Sequence, residues 1–171
     1  MDIYHTARLD IITCNSDLMN VLAHGVSELG FVLEVNIPDS WPVSPEAIPL
    51  FHEMYRADTS LSGWLNYFAV CRENLTMIGD CGYLGKPVNG NVEIGYSVIP
   101  EYRRKGFAFE MVSFLVYHAF SSGMVSKITA YTLKNNIPSI KVLENLNFIL
   151  ADDHVESDEG IKFRWELIKM S

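Results

Sequence analysis

Residues 107–122, FAFEMVSFLVYHAFSS, are apolar almost all round, and strand-like runs flank them: VEIGYSVIP at 92–100 and KITAYT at 127–132. A helix without a polar face belongs inside a fold rather than on its surface. A helix that returns the chain to a neighbouring strand of the same sheet makes the two strands parallel. Antiparallel neighbours need only a tight turn, whereas a parallel return needs a crossover of about a dozen residues or more. Such crossovers are right-handed in nearly all cases. A parallel strand–helix–strand unit is therefore expected at the centre of this chain, with Gly123 ending the helix.

The flanking segments can be read around that unit. LNYFAVCRE (65–73), LTMIGDCGYLG (75–85) and VEIGYSVIP are strand-like runs separated by the turn signals REN and KPVNGN. Connections this short predict antiparallel neighbours. RLDIIT (8–13) reads as a further strand. NSDLMNVLAHGVSELG (15–30) predicts a helix that opens at Asn15 or Ser16 and closes at Gly30. NIPDSWPVSP (36–45) predicts a loop, and Pro45 suits the first turn of a second helix, PEAIPLFHEMYRAD. Residues 136–147 predict a short helix capped by Asn136, and FILADDHVE with IKFRWELIKM predicts a C-terminal hairpin. The expected architecture is one mixed α/β (α+β) domain over residues 1–171. Its sheet is antiparallel in the N-terminal half, with a central parallel crossover and a C-terminal hairpin.

Charge and composition exclude several functions. The net charge is −8. Phosphate contacts dominate nucleic-acid affinity, so no nucleic-acid partner is expected, and a cationic or amine-bearing partner suits the field better. No apolar stretch reaches the roughly 20 residues of a membrane span. MDIYHTARLD has an early acid and no continuous apolar segment, so no secretory signal and a cytoplasmic location are expected. Cys14, Cys71 and Cys81 form no CxxC pair and read as buried thiols. His5, His24, His52, His118 and His154 are dispersed, so no metal site is expected. Gly79, Gly82 and Gly85 give GxxGxxG inside a strand, which is not the dinucleotide pattern; a bulge or close backbone contact explains them.

EYRRKGFAFEM (101–111) places Arg103, Arg104 and Lys105 just before the central helix. Helix N-termini carry partial positive charge, so cations there are unfavourable by about 0.3–1 kcal/mol each unless something negative joins them. A solvated turn is one reading. The other is an anion site, in which turn and helix amides converge, Gly106 allows close backbone approach, small Ala108 leaves room, and the arginines offer forked donors. Pro100, which lacks an N–H, is expected to end the strand's hydrogen bonding and let its neighbour diverge, opening a slot beside the anion site.

Arg103-Arg104-Lys105-Gly106-Phe107-Ala108 resembles the R/Q-x-x-G-x-G/A signature of the GNAT superfamily of acetyl-CoA-dependent N-acetyltransferases. Asn136, Ser139, Leu143, Leu146 and Phe148 resemble that family's N-x-x-S…L-x-x-L-G-F element. TARLDI is similar to the opening of the branch that includes ribosomal-protein N-terminal acetyltransferases. Two positions depart from the pattern. Asn147 stands where glycine is usual, and Leu143 where many members carry a thiolate-protonating tyrosine.

The resemblance implies direct acetyl transfer from acetyl-CoA to a primary amine, without a metal. The acceptor is a protein or peptide N-terminus on the N-terminal resemblance, or a small-molecule amine. A non-catalytic acyl-CoA-binding module is the alternative that Leu143 keeps open. The resemblance also implies that the backbone at Val98 and Ile99 holds the pantetheine arm and that Arg103, Arg104, Lys105, Gly106, Phe107 and Ala108 hold the diphosphate. Asn136 and Ser139 would lie near the sulfur. Glu93 is the candidate general base, Ser139 the candidate acid and Tyr131 its fallback. Trp41 is a candidate lining residue of the acceptor pocket, and the apolar C-terminal hairpin a candidate homodimer contact.

Overall fold

A computed structural model describes residues 1–170. Strands β1 (Ile3–His5) and β2 (Leu9–Thr13) come first, followed by helices α1 (Ser16–His24), α2 (Val26–Leu33) and α3 (Ala47–Ala57). The meander β3 (Asn66–Cys71), β4 (Thr76–Tyr83) and β5 (Asn91–Val98) follows. Then come α4 (Phe107–Ser121), β6 (Lys127–Leu133), α5 (Ile137–Asn145) and the hairpin β7 (Ile149–Ser157) and β8 (Gly160–Ile168). Among the described residues the strands form one sheet in the order β1-β2-β3-β4-β5-β6-β8-β7. Only β5 and β6 pair in parallel, joined through α4 as the apolar run predicts.

The sheet separates two cores. On one face α4 and α5 pack on Ile11, Tyr67, Ile94, Ile128 and Trp165. On the other, α1, α2 and α3 pack on Ile12, Phe68, Val70 and Met77. Cys14, Cys71 and Cys81 are buried free thiols. A register shift opposite Ala69 and Val70 leaves Ile78 as the extra residue of β4, the bulge that the glycine-rich strand suggests.

Three expectations are corrected. The helix expected over 15–30 is two helices, because Gly25 turns out of helical conformation and its N–H closes α1 on Val21 O and Leu22 O. Gly30 lies inside α2, where a side chain would press to within 3.1 Å of Val35 O, so close packing rather than capping calls for glycine; Glu34 ends α2 in the left-handed conformation. Strand β1 was not expected: three residues, mostly exposed, carry too short a pattern to read. Pro100 does not open the sheet, since β5 and β6 part after Ile94 and Ala130, six residues earlier. Pro100 instead begins a 3₁₀ turn, Pro100–Tyr102. Asn147 takes the left-handed conformation (φ 63°) that its place in a glycine position calls for.

Candidate active site

The site grows from the parting of β5 and β6. Their register runs from Asn91↔Lys127 to Ile94↔Ala130 and stops, while β5 continues beside β4 to Val98 and β6 beside β8 to Leu133. Ile99 N–H donates to Ile78 O and Leu84 N–H to Glu93 O, so the odd-numbered residues of β5 turn their backbone groups toward β4. Strand alternation then directs the backbone groups of Tyr96 and Val98 into the slot. Arg103 Nε reaches back to Val98 O at 2.9 Å. Tyr96 Oη donates across to Ser139 O on α5 at 3.3 Å. Asn136 Oδ1 caps α5 by accepting from Ser139 N–H.

At one end of the slot lies the start of α4. Arg104 (φ 61°) and Gly106 (φ 82°) both take left-handed conformations, a sharp turn that ends on the first amides of the helix. Gly106, the N-cap, brings no side chain to those amides. Lys105 Nζ donates to Glu101 O and lies 4.9 Å from the centre of the Tyr102 ring. Arg8 joins this cluster from the N-terminal segment: its guanidinium lies 4.2 Å from the centre of the Phe107 ring and donates to Lys105 O and to Glu110 Oε2, each at 2.8 Å. Burial alone would raise the carboxyl pKa of Glu110. Donors from Thr6 and from the Arg8 backbone and guanidinium outweigh it and hold the group below its ordinary range.

On the α1–α3 face, a cavity of about 180 Å³ lies between β3, β4 and β5 and the helices α1 and α3, roofed by the loop that carries Trp41. Asp80 of β4 faces into it. Asp80 Oδ1 accepts from Ser97 Oγ at 2.9 Å, and Oδ2 from Trp41 Nε1 at 3.1 Å. Desolvation raises the Asp80 pKa, and those two hydrogen bonds only partly counter it. Tyr96 borders the cavity from β5, while its phenol, pushed up to about 12 by burial, lies on the opposite face against α5.

The structure distributes the expected catalytic residues rather than gathering them. Glu93 lies two residues before Gly95 on the cavity-facing side of β5 but outside the cavity lining. It is half-buried; desolvation raises its pKa against the pull of Lys162. Tyr131 follows the last β5–β6 pair and stands opposite Arg164 of β8. Ser139 lies on α5, where its carbonyl meets the Tyr96 hydroxyl. Leu143 is fully buried in the core beneath α5. Trp41 lines the cavity, as its proline-rich surroundings suggest.

Sequence reading missed Asp80, Tyr96 and Arg8. An acid inside the apolar run TMIGDCGY was the available signal for Asp80; Tyr96 and Arg8 gain their positions only from partners distant in sequence. Among the described residues no group of three or more His, Cys, Asp or Glu could hold a metal ion. Among them, too, no helix is long and apolar enough to cross a membrane.

The family model for the acetyltransferase (GNAT) domain matches residues 22–149. The chain is 35% identical over 163 residues to the uncharacterized N-acetyltransferase YjdG of Bacillus subtilis (strain 168), covering 91% of this chain and 95% of that protein. Among solved structures, the ribosomal alpha-N-protein acetyltransferase RimL in complex with coenzyme A superposes with a TM-score of 0.68 at 16% identity over 98% of both chains. A spermidine N-acetyltransferase SpeG chimera from Vibrio cholerae and hSSAT does so with a TM-score of 0.67 at 13% identity, covering 95% of this chain and 96% of that one. The structural likenesses establish the shared fold.

Proposed function

The chain belongs to the GNAT acetyltransferase family, and on that premise we propose that it moves an acetyl group from acetyl-CoA to a primary amine by direct attack. The observation that carries the reading is the slot after Ile94 and Ala130, with a cationic helix start at one end and a carboxylate-bearing cavity across β5. The residues present fit coenzyme A. Unpaired strand backbone suits the amides of a pantetheine arm, and the turn of residues 103–108 with the first amides of α4 suits a diphosphate.

Val98 carries the arm through its backbone, and Tyr96 joins it. The N–H of Ile99 is already given to Ile78 and its side chain is fully buried in the α1–α3 core, so Ile99 supports the arm only by anchoring the end of β5. Arg103, Arg104 and Lys105 attract the diphosphate, and Gly106, Phe107 and Ala108 meet it closely. Asn136 shapes the start of α5 beside the sulfur, and Ser139 protonates the departing thiolate, with Tyr131 as its substitute. Glu93 accepts the proton that the attacking amine must lose, through water, and its raised pKa suits a base.

The test is thiol release from acetyl-CoA across a panel of amines, for the wild type and for Glu93→Gln and Ser139→Ala. Turnover with at least one amine, lowered by about 10²-fold or more in a variant that loses its acid or base, is the expected result. Binding of coenzyme A with no turnover on any amine would leave a binding module instead.

A further inference from the structure

The cavity beside β4 contains a charge without a charged partner. Asp80 receives two neutral donors, Ser97 Oγ and Trp41 Nε1. An ionised carboxylate offers about four acceptor sites, so roughly two remain. Among the described residues no Lys, Arg or His forms an ion pair with Asp80, although a buried carboxylate is costly unless paired. The walls around it are apolar: Met19, Leu22, Ile48, Phe51 and Phe68.

We propose that Asp80 receives the positively charged amino group of the acceptor, and that the acceptor is a compact primary amine with an apolar body. This rests on the acetyl-transfer reading for why an amine comes to the cavity. Size selects the body. A cavity near 150 Å³ takes a benzene molecule, while drug-sized ligands occupy about 300–1,000 Å³. At about 180 Å³, this cavity holds one ring or a short branched chain together with an amino group. Position selects the reacting end. Asp80 is paired with Ser97 of β5, and the slot lies along the other edge of that strand, so an amine seated over β5 lies between Asp80 and the arm, about one strand spacing, roughly 4.8 Å, from the backbone of each.

The chemistry balances. The ammonium gives one proton to the Asp80 carboxylate, and the nitrogen lone pair attacks the thioester carbon. The C–N bond forms as the C–S bond breaks; the Ser139 hydroxyl gives its proton to the departing thiolate and takes the second nitrogen proton in its place. Asp80 then passes its proton through water to Glu93, the base of the acetyl-transfer reading, along the face that Ser97, Gly95 and Glu93 share.

The test is calorimetry on the full chain with coenzyme A, using phenethylamine, its neutral counterpart 2-phenylethanol and the tripeptide Ala-Ala-Ala as probes. Phenethylamine should bind the wild type and bind Asp80→Asn about tenfold or more weakly, the loss of a charged hydrogen bond, while 2-phenylethanol binds both alike. Ala47→Trp, at the half-buried start of α3 in the cavity lining, should block phenethylamine even if Asp80→Asn does not fold. Equal affinity for Asp80→Asn, unimpaired binding to Ala47→Trp, no binding of phenethylamine to the wild type, or tighter binding of the tripeptide each overturns the inference. If phenethylamine binds through Asp80 without thiol release from acetyl-CoA, this inference stands and acetyl transfer falls. Thiol release with the tripeptide alone does the reverse.

Discussion

Arg8 and Glu110 are joined across most of the chain: Glu110 Oε1 accepts the Arg8 backbone N–H at 2.7 Å, and Glu110 Oε2 accepts Arg8 Nε at 2.8 Å. The pair answers the electrostatic question raised by the basic turn. Glu110 complements the positive helix start, but Arg8 neutralises it, so among the described residues Arg104 and its neighbours form no ion pair of their own.

Removing that carboxylate should loosen both the N-terminal segment and the helix start. Glu110→Gln should destabilise the protein by about 1.5–3 kcal/mol, the range for hydrogen bonds to a charged group, measured by denaturant unfolding at neutral pH. The sign with pH follows from the lowered pKa. The contribution is fully present above the ordinary glutamate pKa and is lost as pH falls through the folded value. The gap between wild type and variant should therefore close in acid.

Backbone shape should matter more than any one charge at the diphosphate end. At φ 82° a β-branched residue costs about 1–3 kcal/mol. Gly106→Val should weaken coenzyme A binding more than Arg104→Ala, by titration calorimetry. An equal or smaller loss for Gly106→Val would reduce the turn to a basic patch.

Asp80 should set an acid limb on kcat/KM. Tyr83 and Tyr96 turn their hydroxyls to α4 and α5 on the opposite face, Cys81 is buried there with them, and burial raises all three; on the Asp80 face Glu93 also has a raised pKa. The rate should rise with pH as Asp80 and Glu93 ionise, both raised from the ordinary carboxylate value, and Asp80→Asn should make that limb shallower, with the Glu93 part left. Stability runs the other way. A raised folded pKa favours the protonated form, so the wild type loses stability as pH rises from the unfolded value through the folded one. Asp80→Asn lacks this loss, which a comparison of Tm against pH would show.

Leu143 should behave as a core residue. Leu143→Ala should cost about 2–5 kcal/mol of stability. Leu143→Tyr should overpack the core, at about 1–3 kcal/mol, without raising thiol release.

Much of this was legible in the sequence because it is local. The apolar run 107–122 implied the parallel pair, and the turn signals implied the meander. Asn136 and the glycines at 106 and 123 marked helix ends by backbone chemistry alone. What stayed hidden depends on contacts made late. The break at Gly25 sits inside a continuous helical pattern, and only packing reveals it. The divergence after Ile94 leaves no mark on a strand whose alternation continues unbroken to Val98. Asp80 reads as an isolated acid until Trp41, 39 residues earlier, is placed against it.

The short β5–β6 ladder has a mechanical consequence. Among the described residues, four paired positions, Asn91↔Lys127 to Ile94↔Ala130, with Gly90 at their start, form the one strand ladder between the β1–β5 half of the sheet and the β6–β8 half. A slot opening from the end of such a seam is a wedge with its hinge at Ile94 and Ala130. A molecule lodged in the wedge would tie the halves together beyond the hinge, so binding in the slot should stiffen the whole sheet.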